Sequence, residues 1–141
     1  MAASEYLLAL DYGERRVGVA VAHMIARIPH PLTTLDNNET LFTAISELVV
    51  REGVRLVIVG LPRGMDGGYT EQTRSAEAFA NKLRDLLTVP VALADETLTS
   101  VDAEASLPHG QKHAKGDIDA MAASLILERY LAEHPAGEVH A

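Results

Sequence analysis

Apolar positions along the chain follow two rhythms. Residues 6–11 (YLLALD) form a short apolar run ending in Asp11, and 16–23 (RVGVAVAH) form a second, β-branched run. Runs of this length read as buried strands, and Gly13 in the intervening turn, 12–15, joins them as a hairpin. A third short strand fits 32–35, after the breakers Pro29 and Pro31. Leu41, Ile45, Leu48 and Val49 then recur at helical spacing. They predict a helix over about 39–52, capped by Asn37 or Asn38 and stopped by Gly53. Residues 55–60 (RLVIVG) are continuously apolar, the pattern of a strand covered on both faces. A glycine-rich stretch, LPRGMDGGYT, follows. Ala76, Phe79, Ala80, Leu83 and Leu87 stripe a helix over about 71–87, and 90–95 (PVALAD) reads as a fifth strand. Thr99 and Ser100 open a short helix over 101–107, which Pro108 and Gly110 break. A last helix runs from about 117 to 133 and leaves a frayed tail.

The resulting order, βββαβαβαα, predicts an α/β domain. The hairpins alternate strand direction, and the two helical crossovers keep strands one, four and five parallel. Asp11, Gly60 and the pair Asp95–Glu96 therefore end strands at one sheet edge, where open α/β sheets place their ligand sites.

Composition narrows the classes. The chain has 141 residues, 48% of them hydrophobic, which suits one domain with a substantial core. It has no cysteine, so disulfide frameworks, thiol catalysis and Cys-ligated zinc are excluded. The six histidines show no helical pair at metal-ligand spacing. The opening apolar run is too short for a signal peptide or a membrane span, so the expectation is a soluble cytoplasmic protein with no membrane partner. A net charge of −8 is unlike the usual basic nucleic-acid-binding domain. The basic residues are local: Arg15, Arg16 and Arg63 sit in turns or at strand ends, and Lys112 and Lys115 lie in a polar stretch with His109 and His113.

The acidic residues carry the chemistry. In KGDIDAMAASLILERY, 115–130, Asp119 shares a helix face with Ala122, Ala123, Ile126 and Tyr130, all within about 60°. Ser124 and Glu128 lie on the opposite side. Asp117 reads as the N-cap. Asp119 thus heads an apolar stripe, and a buried carboxylate costs several kcal/mol unless compensated. Acids from strand one, strand five and the last helix can converge, and a hard divalent cation relieves their repulsion. Simpler roles stand beside this one: turn formation for Asp11, capping for Asp95–Glu96, and helix-dipole stabilisation for Asp119.

Four stretches, LALDYGERRVGVAVA, VIVGLPRGMDG, DETLTS and KGDIDAMAASLILERYL, together resemble the YqgF family. Its members are also described as RuvX-like or Holliday junction resolvase-like, within the RNase H-like superfamily. The resemblance spans about residues 6–133. It implies a single RNase H-like domain, with a five-stranded mixed sheet of order 3-2-1-4-5, strand 2 antiparallel, flanked by helices. It implies a metal-dependent nuclease with Asp11, Glu96 and Asp119 catalytic, and with Asp11, Asp95, Glu96 and Asp119 as ligands for Mg²⁺ or Mn²⁺, two ions in all. Of the Asp95–Glu96 pair, Glu96 is the favoured ligand. The implied role is 5′-end maturation of pre-16S ribosomal RNA. The family's older assignment is Holliday junction resolution, and cleavage of single-stranded DNA or RNA in repair is a further alternative. The implied partner is nucleic acid, RNA first, and a homodimer is left open. Two positions depart from the family pattern: Thr97 stands where arginine usually follows the acidic pair, and His23 stands near the end of strand two.

The nucleic-acid contacts expected on this reading are Tyr12, Arg15, Arg63, Lys112 and Lys115. Tyr12 and Tyr69 are candidates for base stacking, with loop packing as the simpler role. The glycines of 61–68 either bring backbone N–H groups to a phosphate or form a plain crossover. Three other functions compete. They are a non-catalytic nucleic-acid-binding assembly factor, an ATPase of the actin and Hsp70 class, and a phospho-acceptor domain using Asp11. The ATPase class requires a second lobe for which 141 residues leave no room.

Overall fold

The computed structural model describes residues 5–95 and 115–135. Its elements are β1 (Tyr6–Tyr12), β2 (Arg16–His23), β3 (His30–Asp36), α1 (Leu41–Arg51), β4 (Val54–Leu61), α2 (Glu71–Leu86), β5 (Val91–Asp95) and α3 (Lys115–Glu133). They build one five-stranded sheet in the order β3-β2-β1-β4-β5. β2 is antiparallel to β1 and β3, while β4 is parallel to β1 and β5. The expected mixed sheet is the observed one.

Several boundaries differ, each for a local reason. β3 begins at His30 and contains Pro31, read in the sequence as a breaker. It is an edge strand, where a missing N–H is tolerated, and its register with β2 shifts between Val19 and Ala20, where Pro31 pairs. β1 extends through Tyr12, because Tyr12 pairs with Val17 across the hairpin. The turn closes with Gly13 N–H donating to Arg16 O at 3.0 Å. Thr40, not Asn37 or Asn38, is the N-cap of α1, although Asn38 Oδ1 accepts from Thr40 N–H at 2.9 Å. Gly53 ends that helix as expected, with a φ of +65° that a side chain would strain. α3 starts at Lys115, so Asp117 is its third residue rather than its cap. The short helix expected over 101–107 lies outside the described residues. His134, expected in a frayed tail, stacks on Tyr130 with ring centroids 4.0 Å apart.

Strand alternation divides the core in two. Leu8, Leu10, Val17, Val19, Val57, Val59, Phe79 and Leu83 pack between the sheet and the layer of α1 and α2. Leu7, Ala9, Ala20, Ala22, Ile58, Ala123, Ile126 and Leu127 pack between the sheet and α3. The α3 side of β2 reads Gly18, Ala20, Ala22, so little side-chain bulk separates helix from sheet. A Cβ at Gly18 would stand 1.9 Å from the carbonyl oxygen of Asp119. This close approach covers a wider arc of α3 than its stripe predicts. Ser124, expected on the solvated side, is buried, and Glu128 is exposed as expected. Among the described residues no helix is long and apolar enough to cross a membrane.

Candidate functional site

The C-terminal ends of β1, β4 and β5 form one edge of the sheet, as the strand order requires. Asp11 lies there on the α3 side, continuing the series Leu7, Ala9. Its pair partner on β2 is Gly18. On its other flank Gly60 follows Val59, the partner of Leu10, and Gly60 pairs with Ala94. The Asp11 carboxylate therefore sits in a row of residues with little or no side chain. Open space around it is written into the strands.

The first turns of α3 cover that space. Gly18 lets the backbone of Asp119 approach, and Asp11 and Asp119 line the same cavity of about 320 Å³. Two carboxylates separated by most of the chain are thus brought together. Glu14 and Glu71 line the same cavity, with Tyr12, Gln72 and Ser75. Among the described residues, the lining is therefore rich in hard oxygen donors and includes no histidine. Arg16 offsets part of this charge: its Nε donates to Asp119 Oδ2 at 2.9 Å, with both side chains about one-third exposed.

Asp95 stands apart from this cavity. It continues the series Val91, Leu93 on the α1–α2 side of β5, the opposite side from Asp11. Its side chain is largely exposed and accepts from Arg63 Nε at 2.9 Å. That hydrogen bond raises the pKa of the Arg63 guanidinium above its ordinary value. Arg63 is thus engaged with a carboxylate. The Asp95 carbonyl accepts from Arg129 Nη1 at 3.2 Å, which ties the end of β5 to α3. Glu96, Thr97 and Lys112 lie outside the described residues. Lys115 opens α3. Arg15 is exposed in the hairpin turn, where its carbonyl accepts from Asn37 N–H at 2.8 Å. Tyr12 is a strand residue stacked on Phe79, with centroids 4.3 Å apart. His23 contacts Glu5 at 3.0 Å at the far end of β2 from Asp11.

The glycine-rich loop after β4 is largely self-contained. Gly64 N–H donates to Gly68 O, Gly67 N–H to Gly64 O and Gly68 N–H to Asp66 Oδ1, each at 2.8 Å. These three donors are spent within the loop, which favours a plain crossover over a phosphate cradle. Thr70 then caps α2 in a reciprocal arrangement with Thr73, whose hydroxyl also donates to the Pro62 carbonyl. This anchoring sets the first turn of α2, and with it Glu71 and Ser75, on the acidic cavity.

The sequence profile described as "RuvX: Holliday junction resolvase" matches residues 5–133. The chain belongs to the RuvX family. Among curated relatives, a protein of Dechloromonas aromatica (strain RCB) is 43% identical over 129 residues, 88% of each chain. One of Chloroflexus aggregans is 45% identical over 130 residues, 89% of this chain and 92% of its own. Both carry the name "Putative pre-16S rRNA nuclease". Among solved structures, Thermus thermophilus RuvC in complex with Holliday junction substrate superposes with a TM-score of 0.58. The match is 12% identical and covers 96% of this chain and 99% of that one. RuvC alone gives 0.53 at 13% identity, over 91% and 95% of the two chains. These likenesses establish the RNase H-like fold of this RuvX chain.

Sequence reasoning missed Arg16, Gly18, Glu14, Glu71 and Ser75 as parts of the site. Two signals pointed to some of them. The alternation V-G-V-A-V-A in β2 marks a face of minimal bulk ending at Gly18. The helix that follows β4 necessarily opens at the same sheet edge as Asp11.

Proposed function

We propose that this chain is a metal-dependent nuclease that hydrolyses phosphodiester bonds in RNA, and that it acts in 5′-end maturation of pre-16S ribosomal RNA. The observation that carries the reading is the meeting of Asp11 and Asp119 on one cavity at the C-terminal sheet edge. The names of the 40–46% identical relatives supply the substrate class.

The donor chemistry fits Mg²⁺ or Mn²⁺, since the described lining offers carboxylate oxygens and no imidazole, and the chain has no thiol. Among the described residues no three acidic or histidine side chains stand close enough together to hold one ion. Asp11 and Asp119 are two of the proposed ligands. Strand alternation turns Asp95 away from Asp11, so the reading takes Glu96 as the third ligand rather than Asp95. When bound, the ions lower the pKa of a water and stabilise the leaving oxygen in an in-line displacement.

The protein's own groups do the rest. Asp11, on a central strand with pairing on both sides, is held rigidly, which favours precise positioning. Arg16 orients the Asp119 carboxylate through its hydrogen bond. The amino-terminal turn of α2 presents the positive end of its dipole toward the cavity, which favours a phosphate there. Arg15, Lys112 and Lys115 are proposed phosphate contacts along the bound strand, and Arg63 joins them if its pair with Asp95 opens.

The test is cleavage of end-labelled RNA with Mg²⁺ or Mn²⁺, comparing the native chain with Asp11→Asn. The expected loss is on the order of 100-fold or more, in the range for removing one charge-stabilising group. Equal cleavage by both proteins removes Asp11 from the mechanism. A precursor spanning the mature 5′ end of 16S RNA, run beside a four-way DNA junction, separates the maturation role from junction resolution.

A further inference from the structure

A second cavity of about 320 Å³ adjoins the acidic one and shares two of its walls, Tyr12 and Ser75. Aromatic residues are scarce in this chain, four tyrosines and two phenylalanines. Both phenylalanines and one tyrosine nevertheless gather here. Phe79 stacks on Tyr12 with centroids 4.3 Å apart and meets Phe42 at 5.6 Å. The Lys82 ammonium lies 4.9 Å from the Phe42 ring centroid. Asn37 and Ser75 bring polar edges to the same walls. The Asn37 side chain is held in place by its hydrogen bond to Gly13 O at 2.7 Å.

We propose that this cavity receives an unpaired nucleobase of the nucleotide next to the phosphate that is cut. The proposal rests on the nuclease reading above and names what that site binds. Three features select this occupant. Aromatic faces attract any base by stacking, and amide and hydroxyl groups meet its polar edge. Lys82 supplies a positive charge beside the rings for the backbone the base is attached to. The third feature is electrostatic. With net charge −8 and an acidic neighbouring cavity, the protein has little general attraction for a polyanion. A pocket that holds the base through stacking gives the strand a grip that does not depend on charge. A base paired in a duplex has its edge and both faces occupied and cannot enter.

The test uses the full chain and a short single-stranded oligoribonucleotide, with its complement available to form the duplex. The ring resonances of Tyr12, Phe42 and Phe79, and the backbone amides of Asp11 and Asp119, are followed by NMR as the single strand is added. Affinity is then measured by anisotropy for the native chain, for Lys82→Gln at the exposed rim, and for Phe42→Leu. We expect the ring signals to move with the single strand and not with the duplex. We expect Kd to rise roughly 5- to 100-fold in Phe42→Leu, the range for losing one stacked base, and severalfold in Lys82→Gln. If the amides at Asp11 and Asp119 shift while the rings stay still, the base pocket is wrong and the nuclease reading stands. If neither group responds to any RNA, the nuclease reading fails and takes the pocket with it. If the duplex moves the rings equally, an unpaired base is not the occupant. The Lys82→Gln and unmodified-chain arms hold even where Phe42→Leu disturbs folding.

Discussion

Gly18→Ala tests the close approach on which the acidic cavity depends. A Cβ at residue 18 would lie 1.9 Å from the Asp119 carbonyl oxygen, 2.3 Å from the carbonyl carbon and 2.9 Å from Ala120 N. All three are backbone atoms of α3, so no side-chain rotation relieves the overlap. Ordinary contact begins at 3.4 Å, so the start of α3 must retreat by about 1.5 Å. Overpacking of this kind costs about 1–3 kcal/mol. For a domain of this size that lowers Tm by roughly 4 °C per kcal/mol. The retreat also carries Asp119 away from Asp11, and a misplacement of about 1 Å costs on the order of 100-fold in rate. Without the overlap the sign would reverse, because alanine in place of glycine restricts the unfolded chain and suits a strand better. Thermal unfolding followed by circular dichroism reads the first effect, and cleavage of labelled RNA reads the second. Faster hydrogen exchange in the first turns of α3 localises the change. A variant with native or raised Tm and native cleavage would refute the reasoning.

Three further outcomes follow from the same geometry. Arg16→Gln removes the cation beside Asp119; the pair is partly exposed, so stability falls by less than about 1 kcal/mol. Mn²⁺ binding measured by calorimetry should tighten, since a guanidinium competes with a metal for that carboxylate; weaker binding contradicts this. Thr70→Ala removes the cap of α2 and should cost about 1 kcal/mol in urea unfolding, and an unchanged midpoint would deny the cap its role. Burial raises the Tyr130 phenol pKa, so the folded state keeps its proton to higher pH than the unfolded chain does. Its contribution is complete below the unfolded value of about 10 and is lost as pH rises through the folded one. Tyr130→Phe should therefore lose less stability than the native chain above about pH 10, and parallel pH profiles would remove Tyr130 from the effect.

Periodicity and turn residues alone determined the order of the described strands and helices, the shared edge of β1, β4 and β5, and the place of Asp11 at that edge. These are legible because side-chain alternation and helical spacing are local properties of the chain. The stripe under Asp119 was legible for the same reason. Whether that stripe met the sheet near Asp11 was not, because it depends on how closely α3 packs. Gly18 settles that distance, since the helix backbone rests where a side chain would otherwise stand. Arg16 reaches Asp119, and Glu71 reaches the cavity, for the same kind of reason. They sit at the start of a strand and in a first helical turn, whose directions are set by pairing and capping elsewhere. The side of β5 that carries Asp95 likewise follows from its register with β4, which no local pattern encodes. Local spacing told which residues share a face; only packing between distant segments decided which faces meet.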